Sequence, residues 1–150
     1  MRGIYAVCIG LLLCSLTSTA LVAQSGTSTQ GAPASGSSTR DGVYTAAQAE
    51  QGQALFTKQC AVCHGATLQG TGQNPPLVGD AFFKNWTGST LADFYGMIQA
   101  TMPATKPGSL TPDEVTQAIA FILQSNKFPA GNAELPNTAD GMKTIHFDKP

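Results

Sequence analysis

Residues 60 to 64 have the sequence Cys-Ala-Val-Cys-His, and no other segment limits the fold of this chain as strongly. From the composition alone, about 0.001 copies of this pattern are expected by chance. The other two cysteines, Cys8 and Cys14, lie in an apolar run near the N-terminus. A disulfide between Cys60 and Cys63 would close almost no loop and add little stability. The pair therefore needs a chemical explanation.

The pattern C-x-x-C-H indicates covalent haem attachment, in which two thiols add to the vinyl groups of the haem. His64 then lies beneath the iron and supplies the proximal ligand. A thioredoxin-like C-x-x-C needs a βαβ context, which the sequence does not suggest. A zinc site needs four ligands, but His146 is the only other histidine. We therefore predict one covalently bound haem c.

Residues 1–23 have the pattern of an export signal: Arg2, then an apolar run, then small residues. Cleavage is expected after Ala20 or Ala23, and the alternative is an uncleaved membrane anchor. Residues 24–42 are mostly Ser, Thr, Gly and Ala, which predicts a flexible linker. The predicted location is periplasmic or otherwise exported, with membrane attachment if the signal is retained.

Charged residues make up only 11% of the chain, and the formal net charge is −1. Nucleic-acid binding requires a basic patch, so no nucleic-acid partner is expected. A weakly charged surface also argues against strong long-range steering of a protein partner.

Residues 43–131 have helical periodicity and predict an all-α domain with three main helices. The helices are expected to begin after Thr45, Thr90 and Thr111, each of which is a good N-cap residue. Residues 61–86 are rich in Gly and Pro and are predicted to be mainly loop. A core of this size is marginal without additional support, and a haem would supply apolar surface for the helices to bury.

Residues 132–150 have no strong periodicity and are predicted to form a C-terminal tail packed loosely on the domain. The tail contains Met142 and His146, two of the residues that are able to occupy the sixth position of the iron. Met97 lies inside the second predicted helix and is interpreted as core. Met102 follows that helix and precedes Pro103, in a loop stiffened by proline. Met102 is therefore the predicted distal ligand.

In these residues the chain resembles the class I cytochrome c family over most of residues 43–131. The matching pieces, in order, are Gly52 and Phe56, C-A-V-C-H-G at 60–65, N-P-P-L at 74–77, Trp86, T-M-P at 101–103, P-G-S-L-T at 107–111 and A-F-I-L at 120–123. The chain is most similar to cytochrome c subunits associated with quinoprotein dehydrogenases and to oxidase-linked cytochrome c domains, which share the piece at Asn126 to Gly131. The resemblance implies a cytochrome c fold wrapped around one haem.

The resemblance also implies roles for residues outside the C-x-x-C-H segment. The carbonyl of Pro75 or Pro76 would accept a hydrogen bond from the ring of His64. Gly52 would let the first and third helices cross closely, near Ala120 and Phe121. Trp86 would either donate its N–H to a haem propionate or serve as a core aromatic.

The predicted function is single-electron transfer between periplasmic or membrane redox partners rather than enzymatic catalysis. The resemblance implies a dehydrogenase, including a quinoprotein dehydrogenase, a terminal oxidase or another membrane complex as partner. Two alternatives remain open at this point. One is a haem enzyme or gas sensor with an open sixth position, and the other is a fixed haem subunit of a membrane redox complex.

Overall fold

The computed structural model describes residues 37–150 of the 150-residue chain. The predicted export signal, with its cleavage sites, and linker residues 24–36 lie outside the described residues. The described part contains a short 3-10 helix and six α helices, with only isolated β-bridges between them. The bounds are Thr39–Asp41 for the 3-10 helix, Ala46–Gln59 (α1), Ala61–His64 (α2), Gly79–Trp86 (α3), Leu91–Thr101 (α4), Pro112–Ser125 (α5) and Ala139–Met142 (α6).

The three predicted main helices are α1, α4 and α5, and each begins at the expected cap. Thr90 and Asp93 form a complete capping box at α4, with each side chain bonded to the other residue's backbone N–H. Thr111 and Glu114 do the same at α5, where Pro112 occupies the first turn. These starts are set by residues three positions apart, so the local sequence is enough to specify them.

The cap of α1 is not a complete box like those of α4 and α5. The Thr45 side chain accepts from the backbone N–H of Gln48 at 3.2 Å. The Gln48 side chain turns inward instead of back to the cap. Its amide donates to the carbonyl of Leu135 at 3.1 Å and accepts from the Leu135 N–H at 2.9 Å. A buried side chain at the start of α1 thus fixes a segment 87 residues later.

Helices α1 and α5 cross at Gly52, as the resemblance implied. A Cβ on Gly52 would lie 1.8 Å from the carbonyl oxygen of Gln117 and 2.9 Å from the Cβ of Phe121. Only glycine allows the two backbones to approach this closely. One turn further along α1, the rings of Phe56 and Phe121 pack with centroids 5.3 Å apart. This crossing sets the position of the C-terminal end of α1, where Cys60 lies.

The predicted loop over residues 61–86 contains two helices, so that prediction was wrong in part. Helix α2 continues the chain directly from α1, and α3 covers Gly79–Trp86. Val78 occupies the N-cap of α3 and makes no side-chain cap bond. Without a polar cap, and with only eight residues, α3 has no local start signal. Residues 65–78 form the irregular segment that remains.

The C-terminal residues are not loosely packed, contrary to the prediction. Four of their apolar side chains are at most 1% exposed: Leu135, Met142, Ile145 and Phe147. The Phe147 ring packs edge-on against three other aromatic rings, those of Phe82, Phe94 and Phe128. Its backbone bonds to Gly88 and Ser89, at 3.0 and 2.8 Å. These contacts join segments that are distant in sequence, so the local periodicity of residues 132–150 does not predict them.

The last residues of the predicted flexible linker are also structured. Ser37 accepts a backbone hydrogen bond from the N–H of His146 at 2.9 Å, and Thr39 donates one to the His146 carbonyl at 3.0 Å. The Ser38 hydroxyl donates to Asp148 at 2.6 Å. Thr39 is fully buried. The segment that enters the domain is therefore held against the end of the chain by backbone pairing, which composition does not reveal.

Candidate functional site

An apolar cavity of about 270 Å³ lies between α1, α4, α5 and the irregular segment that follows α2. Seven residues that the sequence analysis proposed for the cofactor site contribute to its wall: Cys60, Cys63, His64, Pro75, Pro76, Trp86 and Met102. The remaining wall is mostly apolar and includes Phe56, Leu77, Phe94, Met97, Ile98, Leu110, Ala118 and Ile122. Residues that are far apart in sequence therefore meet at one site.

The Cys60–His64 segment is the C-terminal cap of α1 followed by the single turn of α2. The N–H groups of Cys63 and His64 both donate to the Cys60 carbonyl, at 3.1 and 3.0 Å. This tight turn places both thiols and the imidazole along the same cavity. Neither thiol is in a disulfide, and both are half-buried.

Burial raises the pKa of the Cys60 thiol to about 11, and the neighbouring Cys63 adds to the shift. Cysteines of redox motifs have lowered pKa values because the thiolate is their reactive form. The environment of Cys60 therefore does not favour thioredoxin-like chemistry.

His64 is 8% exposed, and its Nδ1 lies 2.9 Å from the carbonyl oxygen of Pro75. Of the two prolines that the resemblance suggested, the structure selects Pro75. A carbonyl can only accept, so Nδ1 carries the proton and Nε2 is left as the basic nitrogen. A histidine held in this way has the tautomer and ring orientation of a metal ligand.

The irregular segment is held against α2 by several hydrogen bonds. The N–H of Gly70 donates to the His64 carbonyl at 2.8 Å, and the Thr71 hydroxyl donates to the Cys63 carbonyl. Gly70 has a φ of +77°, and a Cβ there would lie 2.4 Å from the Asn74 carbonyl oxygen. Glycine is therefore required for the chain to fold back and bring Pro75 over the imidazole.

Two methionines, Met97 and Met102, also line the cavity. Met102 is the C-cap residue of α4, and its N–H donates to the Ile98 carbonyl at 2.9 Å. Met97 lies one turn earlier, and its sulfur is 3.4 Å from the Thr101 hydroxyl. The structure thus places Met97 on the cavity wall, where the sequence analysis had assigned it to the core. Among the hydrogen bonds of residues 37–150, none involves the Met102 sulfur.

The loop after Met102 is tied back to α4. The Gln99 side chain donates to the Leu110 carbonyl at 3.0 Å, and the Lys106 N–H donates to the Pro103 carbonyl at 2.8 Å. Both Pro103 and Leu110 line the cavity. These bonds restrain the loop, which reduces the entropic cost of presenting a side chain from it.

The other proposed candidates lie elsewhere. Met142 is fully buried in the core, and His146 is exposed on the surface, so neither lines the cavity. Trp86 is half-buried on the cavity wall, with its ring 4.5 Å from that of Phe94. The sequence analysis did not identify two amide side chains in the wall, those of Gln59 and Asn85. They belong to no motif, so nothing in the local sequence indicates that they lie at the site.

The donor set and the apolar lining of the cavity fit haem c. Two thiols, a histidine with its Nδ1 already bonded and two methionine thioethers line a space whose other walls are mainly apolar. A porphyrin has large apolar faces, and its iron accepts imidazole and thioether ligands. Within residues 37–150 there is no cluster of three His, Cys, Asp or Glu side chains suited to a bare metal ion.

The family model described as "Cytochrome C oxidase, cbb3-type, subunit III" matches residues 47–122, just over half of the chain. The chain belongs to this family. It therefore contains a cytochrome c domain. A domain of this kind carries haem c and functions in electron transfer. The resemblance to cytochrome c and to oxidase-linked domains is confirmed, as is the all-α cytochrome c fold.

The curated relatives include a cbb3-type cytochrome c oxidase subunit CcoP from Azospirillum sp., 34% identical over 91 residues. That match covers 50% of this chain and 30% of the relative. A thiosulfate dehydrogenase from Psychrobacter arcticus is 31% identical over 103 residues, covering 56% of this chain and 31% of the relative. The chain therefore aligns with about a third of the length of these proteins.

Among solved structures, the sulfane dehydrogenase SoxCD from Paracoccus pantotrophus aligns over 75% of this chain and 59% of its own. The sequence identity is 24% and the TM-score is 0.45. Over residues 37–150, no helix has the length and apolar character needed to cross a bilayer.

Proposed function

We propose that this chain is an exported mono-haem cytochrome c that carries single electrons between redox partner proteins. The haem is bonded through Cys60 and Cys63, and its iron is held by His64 and Met102. One observation carries the proposal: two thiols, the imidazole anchored by Pro75 and two methionine thioethers, one of them Met102, line one apolar cavity. Residues 1–23, outside the described part, are proposed to direct export, and their retention would anchor the domain to the membrane.

The bound haem supplies a one-electron Fe(III)/Fe(II) couple. The residues of the chain adjust that couple. The Pro75 carbonyl fixes the orientation of the His64 ring and makes it a stronger donor to the iron. The thioether of Met102 and the apolar wall both favour the less charged ferrous state, which raises the potential. An iron held by both His64 and Met102 would leave no open position for small molecules.

The chemistry of the wall favours electron transfer over catalysis. Among the described residues that line the cavity, His64 is the only titratable side chain besides the two cysteines. A peroxidase or related haem enzyme needs acid–base groups beside the substrate-binding side of the iron. The polar groups present, including Gln59, Asn74 and Asn85, are neutral amides. They suit solvation or a hydrogen bond, but not proton transfer.

The side chain between the two cysteines suggests how a partner docks. Val62 is 82% exposed, and within residues 37–150 it is the one large hydrophobic side chain with such exposure. With a formal net charge of −1, long-range attraction is weak. We propose short-lived contacts through a small apolar area, with partners such as a dehydrogenase, including a quinoprotein dehydrogenase, a terminal oxidase or another membrane complex.

A second candidate is a fixed haem subunit of a membrane complex, since the relatives include an oxidase subunit. Purification from the native host distinguishes the two candidates. A free carrier is isolated as a monomer, whereas a fixed subunit co-purifies with other redox proteins.

The axial assignment is tested by the weak far-red absorption band that a Met–iron bond produces in the ferric protein. Met102→Ala should abolish this band and lower the reduction potential. Met97→Ala is the matched control, because Met97 lines the same cavity but its sulfur contacts the Thr101 hydroxyl. A band that persists in Met102→Ala and disappears in Met97→Ala would reverse the assignment.

A further inference from the structure

The segment that holds the His64 ring contains two consecutive prolines, and this leaves it with few hydrogen bonds of its own. Pro75 and Pro76 have no N–H to donate. The Pro75 carbonyl is already engaged with His64 Nδ1. The position of that carbonyl therefore depends on the residues on either side of the proline pair.

On the N-terminal side, the Asn74 N–H and side chain both donate to the Thr71 carbonyl, at 2.9 and 3.2 Å. On the C-terminal side, Leu77 is bonded through both of its backbone groups. Its N–H donates to the Leu68 carbonyl at 2.8 Å, and its carbonyl accepts from the Asn126 side chain at 2.8 Å. Asn126 is the only one of these partners that comes from outside residues 65–78.

Asn126 is a buried amide, 5% exposed, at the C-terminal end of α5. Its Nδ2 donates to the carbonyls of Leu77 and Ile122, both at 2.8 Å, and its Oδ1 accepts from the N–H of Gly79 at 3.1 Å. These bonds tie both ends of residues 77–79 to α5. Because the two prolines have restricted φ angles, a displacement at Leu77 is passed on to the Pro75 carbonyl.

We propose that Asn126 is a positioning residue for the iron ligand: it holds the Pro75 carbonyl on His64 Nδ1 and so sets how strongly the imidazole donates to the iron. This inference rests on the proposed function, since it concerns the iron ligand. A weaker Nδ1 hydrogen bond makes His64 a poorer donor to ferric iron. Loss of Asn126 therefore raises the reduction potential.

The test compares the holoproteins of wild type, Asn126→Ala and Tyr44→Phe. Tyr44 is a matched control, because its buried hydroxyl donates to the carbonyl of Phe128, two residues after Asn126, at 2.7 Å. Neither Tyr44 nor Phe128 lines the cavity. Both variants remove buried hydrogen bonds and destabilise the fold. Only Asn126→Ala should favour the ferrous state, by up to tenfold, which corresponds to about 59 mV for one electron.

A second readout is the exchange rate of the His64 Nδ1 proton with solvent in the ferrous protein, measured by NMR. The exchange should be faster in Asn126→Ala than in Tyr44→Phe. If Asn126→Ala does not fold, Asn126→Gln replaces it, because its longer amide cannot keep all three bonds in place. An unchanged or lowered potential, or unchanged exchange, in a haem-loaded Asn126 variant would overturn the inference. A wild-type protein without haem would instead overturn the proposed function.

Discussion

Substituting Gly52 by alanine tests the helix crossing on which the position of the C-x-x-C-H segment depends. The new Cβ would lie 1.8 Å from the backbone carbonyl oxygen of Gln117, and contacts under 3.0 Å essentially never occur for real Cβ atoms. Helices α1 and α5 would have to separate by at least about 1.2 Å. Because the obstructing atom belongs to the backbone, rotation of a side chain cannot relieve the clash.

The expected size of the effect combines two opposing contributions. Overpacking of this kind costs about 1–3 kcal/mol or more. Alanine gains about 1 kcal/mol over glycine in a helix interior. Because the obstruction is backbone, we place the clash at the upper end of its range and expect Gly52→Ala to lower the free energy of unfolding by about 2 kcal/mol.

Gly96 provides the matched control, since it is an exposed glycine inside α4 with no atom within 4 Å of an added Cβ. Gly96→Ala should therefore raise stability by up to about 1 kcal/mol. The assay is urea unfolding of the haem-loaded protein, with equal slopes required for the comparison. If Gly52→Ala were as stable as Gly96→Ala, the close crossing of α1 and α5 would be wrong.

Two further predictions concern the C-terminal packing and the cap of α4. Phe147→Ala should destabilise the protein by about 3–5 kcal/mol, because the ring is fully buried among other aromatic rings. His146→Ala, at an exposed neighbouring position, should change stability by less than about 0.5 kcal/mol. Equal effects of the two substitutions in urea unfolding would mean that the C-terminal residues are loosely packed after all. Hydrogen bonds from the Thr90 backbone N–H and hydroxyl lower the pKa of Asp93 below its ordinary 3.8. The ionised Asp93 carboxylate therefore stabilises the folded state above pH 3.8, and this stabilisation is lost as the pH falls through the folded-state pKa. The stability difference between wild type and Asp93→Asn should therefore shrink on acidification, and a constant difference would contradict the role of the carboxylate.

The sequence predicted the elements whose signals are local. The capping boxes at Thr90 and Thr111 act over three residues, so they identified the starts of α4 and α5 without tertiary information. The C-x-x-C-H segment is equally local, since its chemistry depends on a fixed spacing over five residues. Helix α3 was not predicted because it lacks such a local signal: its N-cap residue, Val78, has no polar side chain to cap the helix.

Features that depend on distant segments were not predictable in the same way. The burial of Phe147 follows from backbone pairing with Gly88 and Ser89 and from contacts with rings in α3 and α4. The choice between Pro75 and Pro76 depends on how the chain folds back at Gly70, which a sequence pattern does not resolve. Asn126 had no evident role until its side chain was seen to bond across to Leu77.

The central claim is that a haem is joined to this polypeptide through Cys60 and Cys63. The most direct measurement is the intact mass of the denatured protein, produced in a host with working haem-attachment machinery. The account predicts the mass of the polypeptide plus one haem, with neither thiol available to a thiol reagent. A mass equal to that of the polypeptide alone, with two reactive thiols, would contradict it.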